Sequence, residues 1–150
     1  MKKAFLLELI CAWFFLLFIY TGISKLLTYR TFVWDLGRDP LIGHTLAVLI
    51  GIILPVLEII IGIMLLSPPQ RKKGLYGLLI LLASFTFYIR YMLHSPIRHC
   101  TCGGVLRTMT WKQHFWFNVG CVLLSIGGIV ICQQQNKLCS KASVLASLKQ

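Results

Sequence analysis

The chain has 150 residues, 57% of them hydrophobic and 13% charged, and its 15 Lys and Arg against 4 Asp and Glu give a net charge of +11. Half of the sequence lies in four near-continuous apolar runs, residues 4–20, 46–66, 75–93 and 115–132. Crossing a hydrocarbon core of about 30 Å takes roughly 20 apolar residues of helix, and each run is close to that length. A soluble enzyme, a secreted disulfide scaffold and a disordered basic protein are excluded together. No connection between the runs is long enough for a separate domain. The expected fold class is all-α: a polytopic membrane protein with a four-transmembrane-helix bundle over residues 1–132 and a cytoplasmic tail over 133–150. Its helices are expected near 4–26, 44–66, 75–93 and 112–132.

Lys2 and Lys3 precede the first run, but no small-x-small cleavage site closes it before Tyr20-Thr21-Gly22-Ile23-Ser24-Lys25. It reads as a retained helix rather than a signal peptide. Glu8, Cys11, Gly22 and Lys25 fit one stripe, which in lipid should face the bundle interior. The following Tyr29-Arg30-Thr31-Phe32-Val33-Trp34 mixes aromatics with charge, as expected of a headgroup-level loop ending at the Asp39-Pro40 turn.

Helix two carries Gly51, Pro55, Glu58 and Gly62 at steps of four, three and four. A bare carboxylate at Glu58 is costly in a membrane, so it should be protonated, paired or hydrated. Pro55 frees a backbone carbonyl and can bend the helix towards a polar partner. Two readings of Glu58 stand: proton handling or ligand contact, and a neutral hydrogen-bonded Glu that fixes packing. Cys11 is expected at a similar depth. Pro68-Pro69 marks a tight turn before Arg71-Lys72-Lys73, and basic residues in a short loop favour the cytoplasmic side. Both termini then face the cytoplasm, and the loops over 29–44 and 94–114 face the periplasm or cell exterior. The positive charge reads as topology and contact with anionic lipid. No basic stripe with interleaved aromatics points to nucleic acid.

Helix four carries Asn118, Cys121, Ser125, Gly128 and Cys132 at steps of three, four, three and four, a stripe for close packing. Cys11, Cys121 and Cys132 read as small apolar residues of helix interiors in preference to a chain of thiols across the bilayer. The tail is assigned a short surface helix at most.

The segment that carries chemistry is His94-Ser95-Pro96-Ile97-Arg98-His99-Cys100-Thr101-Cys102-Gly103-Gly104. Two cysteines one residue apart close a small, strained ring, which makes the disulfide easily reduced and suited to exchange. Arg98, His99 and Lys25 are the cationic groups expected on that side, and cations favour the attacking thiolate. Gly103-Gly104 keeps the backbone slim for a partner's approach. His94, His99 and His114 offer an alternative, ligation of copper or zinc. A structural disulfide to another outer cysteine is excluded on this topology.

Thr21-Gly22-Ile23-Ser24-Lys25-Leu26, Leu54-Pro55-Val56-Leu57-Glu58 and Cys100-Thr101-Cys102-Gly103 before a helix that opens near Trp111 and Asn118 resemble the MauE/DoxX-like redox-associated membrane proteins. In that family MauE belongs to methylamine utilisation and is linked to maturation of a disulfide-rich dehydrogenase subunit beside a thioredoxin-like partner. The resemblance implies a protein of the bacterial cytoplasmic membrane that passes redox equivalents to or from an extracytoplasmic thioredoxin-like protein. Cys100 and Cys102 would be the exchanging pair, and Gly22, Lys25, Pro55 and Glu58 the helix motifs. The family often has Cys-Gly-Cys-Phe-Gly where this chain has Cys-Thr-Cys-Gly-Gly, and Thr stiffens the turn.

The first functional expectation is therefore a thiol–disulfide redox protein, with membrane quinone or a second thiol couple as the onward acceptor. The second is a non-catalytic membrane subunit or assembly factor whose outer loop binds a partner or a metal. A transporter is third, in which the short helices form a homo-oligomer to enclose a path.

Overall fold

A computed structural model describes residues 2–39, 41–94 and 110–147, with side chains of the last segment described at 110 and over 112–135. The described chain is helical: α1 (Lys2–Leu27), α2 (Tyr29–Gly37), α3 (Gly43–Leu66), α4 (Arg71–His94) and α5 (Trp111–Ser147). Four stretches are long and apolar enough to cross a membrane, Lys2–Leu27, Gly43–Leu66, Arg71–His94 and Lys112–Gln135. Their outward faces carry Leu16, Ile80, Phe87 and Trp116, all exposed, as suits a surface whose solvent is lipid. The inward faces of α1, α3, α4 and α5 share one core of Leu7, Phe14, Phe18, Leu65, Leu75, Leu78 and their neighbours.

Small residues set how the helices meet. Gly62 of α3 lies against Phe18 and Ile19 of α1, and Gly22 of α1 lies against Pro55, Glu58 and Ile59 of α3. These contacts run α1 antiparallel to α3 and leave positions 18–25 facing 55–62. Gly128 of α5 meets Ile10 of α1 and Leu75 of α4. Hydrogen bonds from Lys3 Nζ to Gln134 Oε1 (3.1 Å) and from Gln133 Nε2 to the Tyr76 hydroxyl (2.8 Å) bring the starts of α1 and α4 to one end of the bundle.

The chain departs from the expected layout in four places. The segment after α1, expected as a loop, is the nine-residue helix α2, docked on α3. Its Phe32, Val33 and Leu36 are buried against Ala47, with Tyr29, Val48 and Ile50 alongside. Gly51 makes room for it, since a Cβ there would sit 2.5 Å from Val33 Cγ2. The backbone bends at Thr28 without losing its hydrogen bonds: Thr28 N donates to Ser24 O at 3.0 Å and Phe32 N to Thr28 O at 2.9 Å. The α1–α2 unit therefore follows α3 along its length. Second, Arg71-Lys72-Lys73 forms the first turn of α4 rather than the loop before it. Third, α5 continues through the supposed tail to Ser147. Fourth, Glu8 is exposed and does not share the buried stripe of Cys11, Gly22 and Lys25.

The α2–α3 corner is organised by Asp39. Its backbone carbonyl accepts from Ile42 N (3.1 Å) and Gly43 N (2.9 Å), and its Oδ1 accepts from Leu41 N at 2.9 Å. Its Oδ2 accepts from the Tyr88 hydroxyl of α4 at 3.0 Å. Gly43 opens α3 at φ +64°, a left-handed backbone that favours glycine.

Candidate functional site

Of the chain's four acidic residues, Asp39 and Glu58 are buried, and each has a partner on another helix. Glu58 is 2% exposed and its Oε1 accepts from Lys25 Nζ at 2.5 Å; Lys25 is itself 5% exposed. The pair exists because the α1–α3 crossing is built on small residues. A Cβ at Gly22 would lie 3.0 Å from Ile59 Cγ1 and 3.1 Å from the Pro55 carbonyl oxygen. That close approach brings Lys25, three residues on, level with Glu58, three residues past Pro55. Gly22, Lys25, Pro55 and Glu58, separate motifs in sequence, thus meet at one point. Of the three states open to Glu58, the structure gives the paired one.

Two further helices complete the surroundings. Lys25 Nζ lies 5.3 Å from the centre of the Phe85 ring of α4, within cation–π range. From α5, His114 and Asn118 are buried beside the pair. With Thr21, Glu58, Lys25 and Phe117 they line a cavity of about 50 Å³. Glu58 Oε2 faces no hydrogen-bond partner among the described residues. A cavity of this size accommodates one or two water-sized groups at roughly 30 Å³ each; its walls are mostly apolar, with Thr21, Lys25, Glu58, His114 and Asn118 as the polar groups.

A second cavity, of about 240 Å³, also has Lys25 in its lining. It lies between α2, the first half of α3 and the second half of α4, and it is apolar apart from Lys25, Ser84 and Tyr88. Lys25 and Phe85 line both the small chamber and the larger apolar one.

The remaining expected site residues divide in two. Arg98, His99, Cys100 and Cys102 lie outside the described residues. Lys25, expected on the interior stripe of α1 and on the same side as that loop, is buried in the bundle and paired with Glu58, and α2 continues the chain past it along α3. Cys11 is not level with Glu58. The antiparallel register places it 14 residues before Lys25 on α1, about 21 Å along the axis at 1.5 Å per residue, in the core cluster with Cys132 and Leu7. Cys11, Cys121 and Cys132 are buried free thiols. His94 ends α4 exposed beside Arg90, and His114 is buried at the pair; among the described residues no three His, Cys, Asp or Glu come together as a metal site.

Phe85 and the Asp39–Tyr88 bond were not legible as parts of this region. The only sequence signal for either was the Asp-Pro turn. No curated protein and no solved structure matches the chain. The family model described as methylamine utilisation protein MauE matches residues 3–131, nearly the whole of the helical bundle, and the chain belongs to that family of membrane proteins.

Proposed function

We propose that this multi-pass protein is a thiol–disulfide redox protein of the bacterial cytoplasmic membrane that exchanges electrons with an extracytoplasmic thioredoxin-like partner through Cys100 and Cys102. The observation that carries the reading is the distribution of thiols. Cys11, Cys121 and Cys132 are enclosed by the helices that hold them. In sequence Cys100 and Cys102 fall in the connection between α4 and α5, outside the four membrane-crossing stretches found among the described residues, and the sixth cysteine, Cys139, follows the last of those stretches. Membership of the MauE family supports the multi-pass membrane part of this reading.

The orientation follows from charge. Lys2, Lys3, Arg71, Lys72 and Lys73 gather at one end of the bundle, tied there by the Lys3–Gln134 and Tyr76–Gln133 hydrogen bonds. That end is cytoplasmic by the positive-inside rule, and the connection that carries the two cysteines leaves from the opposite end. There disulfides persist and exchange has a use.

In the exchange, a partner thiolate attacks the Cys100–Cys102 disulfide. One S–S bond breaks as the mixed disulfide forms, and one cysteine of the chain leaves as thiolate. The partner's second thiolate then displaces the other, so the partner ends oxidised and the chain holds a dithiol. The reverse sequence passes through the same mixed disulfide.

Replacing Cys102 by Ala, or Cys100 by Ala in the reciprocal variant, is expected to trap a mixed disulfide that reductant releases, seen on non-reducing gels after acid quench and alkylation of intact cells. Failure of both variants to trap a partner, with both cysteines reduced in the parent, would overturn the proposal in favour of a non-catalytic assembly subunit.

A further inference from the structure

The apolar cavity beside Lys25 has no part in thiol exchange, and its chemistry is specific. The geometry points to a binding site for the ring of a lipid-soluble quinone, with Lys25 donating a hydrogen bond to a ring carbonyl. The role given to that quinone, oxidant of the cysteine pair, rests on the exchange reading above; the binding site does not.

Four observations select the occupant. The first is size: about 240 Å³ is several times the 50 Å³ of the small chamber and suits a substituted six-membered ring. The second is lining. Phe32, Leu54, Phe85 and Ile89 provide apolar and aromatic walls for a flat ring. The third is charge. Lys25 is already neutralised by Glu58, so a fatty-acid carboxylate would add a second anion to a site with one cation. A neutral head that accepts a hydrogen bond avoids this cost. A Lys ammonium has three donors, and Glu58 Oε1 takes one of those on Lys25. A plain acyl chain has nothing to accept another. The fourth is position: α2, the first half of α3 and the second half of α4 wall the cavity, so it lies in the half of the bundle from which the cysteine-bearing connection leaves α4.

The couple balances without any other reactant. Two cysteine thiols lose two electrons and two protons and form one S–S bond; the quinone gains two electrons and two protons and becomes the quinol. The disulfide so formed then oxidises the partner as described.

The test measures binding of a decyl-chain benzoquinone to the purified full chain in quinone-free detergent micelles by isothermal titration. Saturable binding of one quinone per chain is expected. Leu54→Trp fills the cavity from α3, and Ser84→Leu narrows it from α4 on a lipid-exposed face, so the second variant reports even where the first does not fold. Each is expected to weaken binding about tenfold or more, with Lys25→Met/Glu58→Gln giving a loss of similar size through the missing hydrogen bond. Binding that is absent, unchanged in the folded cavity variants, or displaced equally well by decanol would overturn the site. The same titration on Cys100→Ser/Cys102→Ser protein separates the two claims. Binding there should equal the parent's, and retained binding without quinone-driven oxidation of the parent's dithiol would refute the redox role while leaving the site in place.

Discussion

Glu58→Gln is the sharpest single probe of this bundle, because it removes a charge while keeping the side chain's size. Lys25 would be left 5% exposed, its ammonium facing a neutral amide and the Phe85 ring 5.3 Å away. Breaking a buried ion pair from one side costs about 3–5 kcal/mol, since the surviving charge stays desolvated. Lys25→Met should cost a similar amount by stranding the carboxylate. The double variant Lys25→Met/Glu58→Gln strands neither, so it should be clearly more stable than the sum of the single losses. The side chains are 7% and 2% exposed and in direct contact, so the coupling energy belongs at the upper end of measured values, about 2–3 kcal/mol. At about 1.4 kcal/mol per tenfold, that is roughly 30- to 150-fold in the unfolding equilibrium. The assay is reversible unfolding in mixed micelles of rising SDS fraction, followed by loss of helical circular dichroism. Additive single losses, or losses below about 0.5 kcal/mol as expected for a hydrated surface pair, would refute the buried-pair argument.

Three other positions test the packing. Gly22→Ala places a Cβ 3.1 Å from the Pro55 carbonyl, a backbone atom that cannot step aside, and should destabilise the bundle by about 1–3 kcal/mol in the same micelle assay. Gly51→Ala meets Val33 Cγ2 at 2.5 Å and should lift α2, seen as faster amide exchange over Tyr29–Gly37; Val33→Ala in the same chain should restore the parent rate. Tyr88→Phe removes the hydrogen bond to Asp39 that joins α4 to the α2–α3 corner and should cost about 0.5–1.5 kcal/mol by SDS unfolding.

The four membrane-crossing helices were legible because lipid demands long apolar runs, and that demand is written directly in composition. The buried stripes were legible for the same reason: Gly51, Pro55, Glu58 and Gly62 on α3, and Asn118, Cys121, Ser125, Gly128 and Cys132 on α5, are small or polar residues that suit helix contacts better than lipid, and all are buried. What periodicity does not hold is the register between helices. Cys11 and Lys25 share a stripe on α1, yet only Lys25 reaches Glu58, because the contacts at Gly22 and Gly62 decide which turn of α1 faces which turn of α3. The helix α2 was hidden by its own composition. Its charged and aromatic residues look interfacial one by one, whereas Phe32, Val33 and Leu36 form an apolar face that only the notch at Gly51 reveals. The stripe on α1 places Lys25 towards the bundle interior, but periodicity alone does not name Glu58 as its partner.

Stability alone does not account for the Lys25–Glu58 pair. Well-packed apolar residues of similar volume often replace a buried ion pair at no cost, or with a gain of about 1–4 kcal/mol. In lipid, moreover, apolar side chains are as content facing the membrane as facing each other, so an apolar α1–α3 contact would hold its register weakly. The pair fixes that register at one turn of each helix. It also puts a cationic side chain in the lining of both cavities, an arrangement an apolar substitute would abolish. Activity measured on Lys25→Met/Glu58→Gln therefore separates the two roles. If the pair only aligns helices, the variant that recovers stability should recover partner oxidation with it. If Lys25 also holds a ligand, a folded variant of near-parent stability should still turn over slowly. The discriminating result is the ratio of its rate to that of the parent at quinone concentrations well below the parent's Kd, where weaker binding shows directly in the rate: near one, the pair is a register device; about tenfold lower or more, as expected for a lost charged hydrogen bond, it belongs to the site.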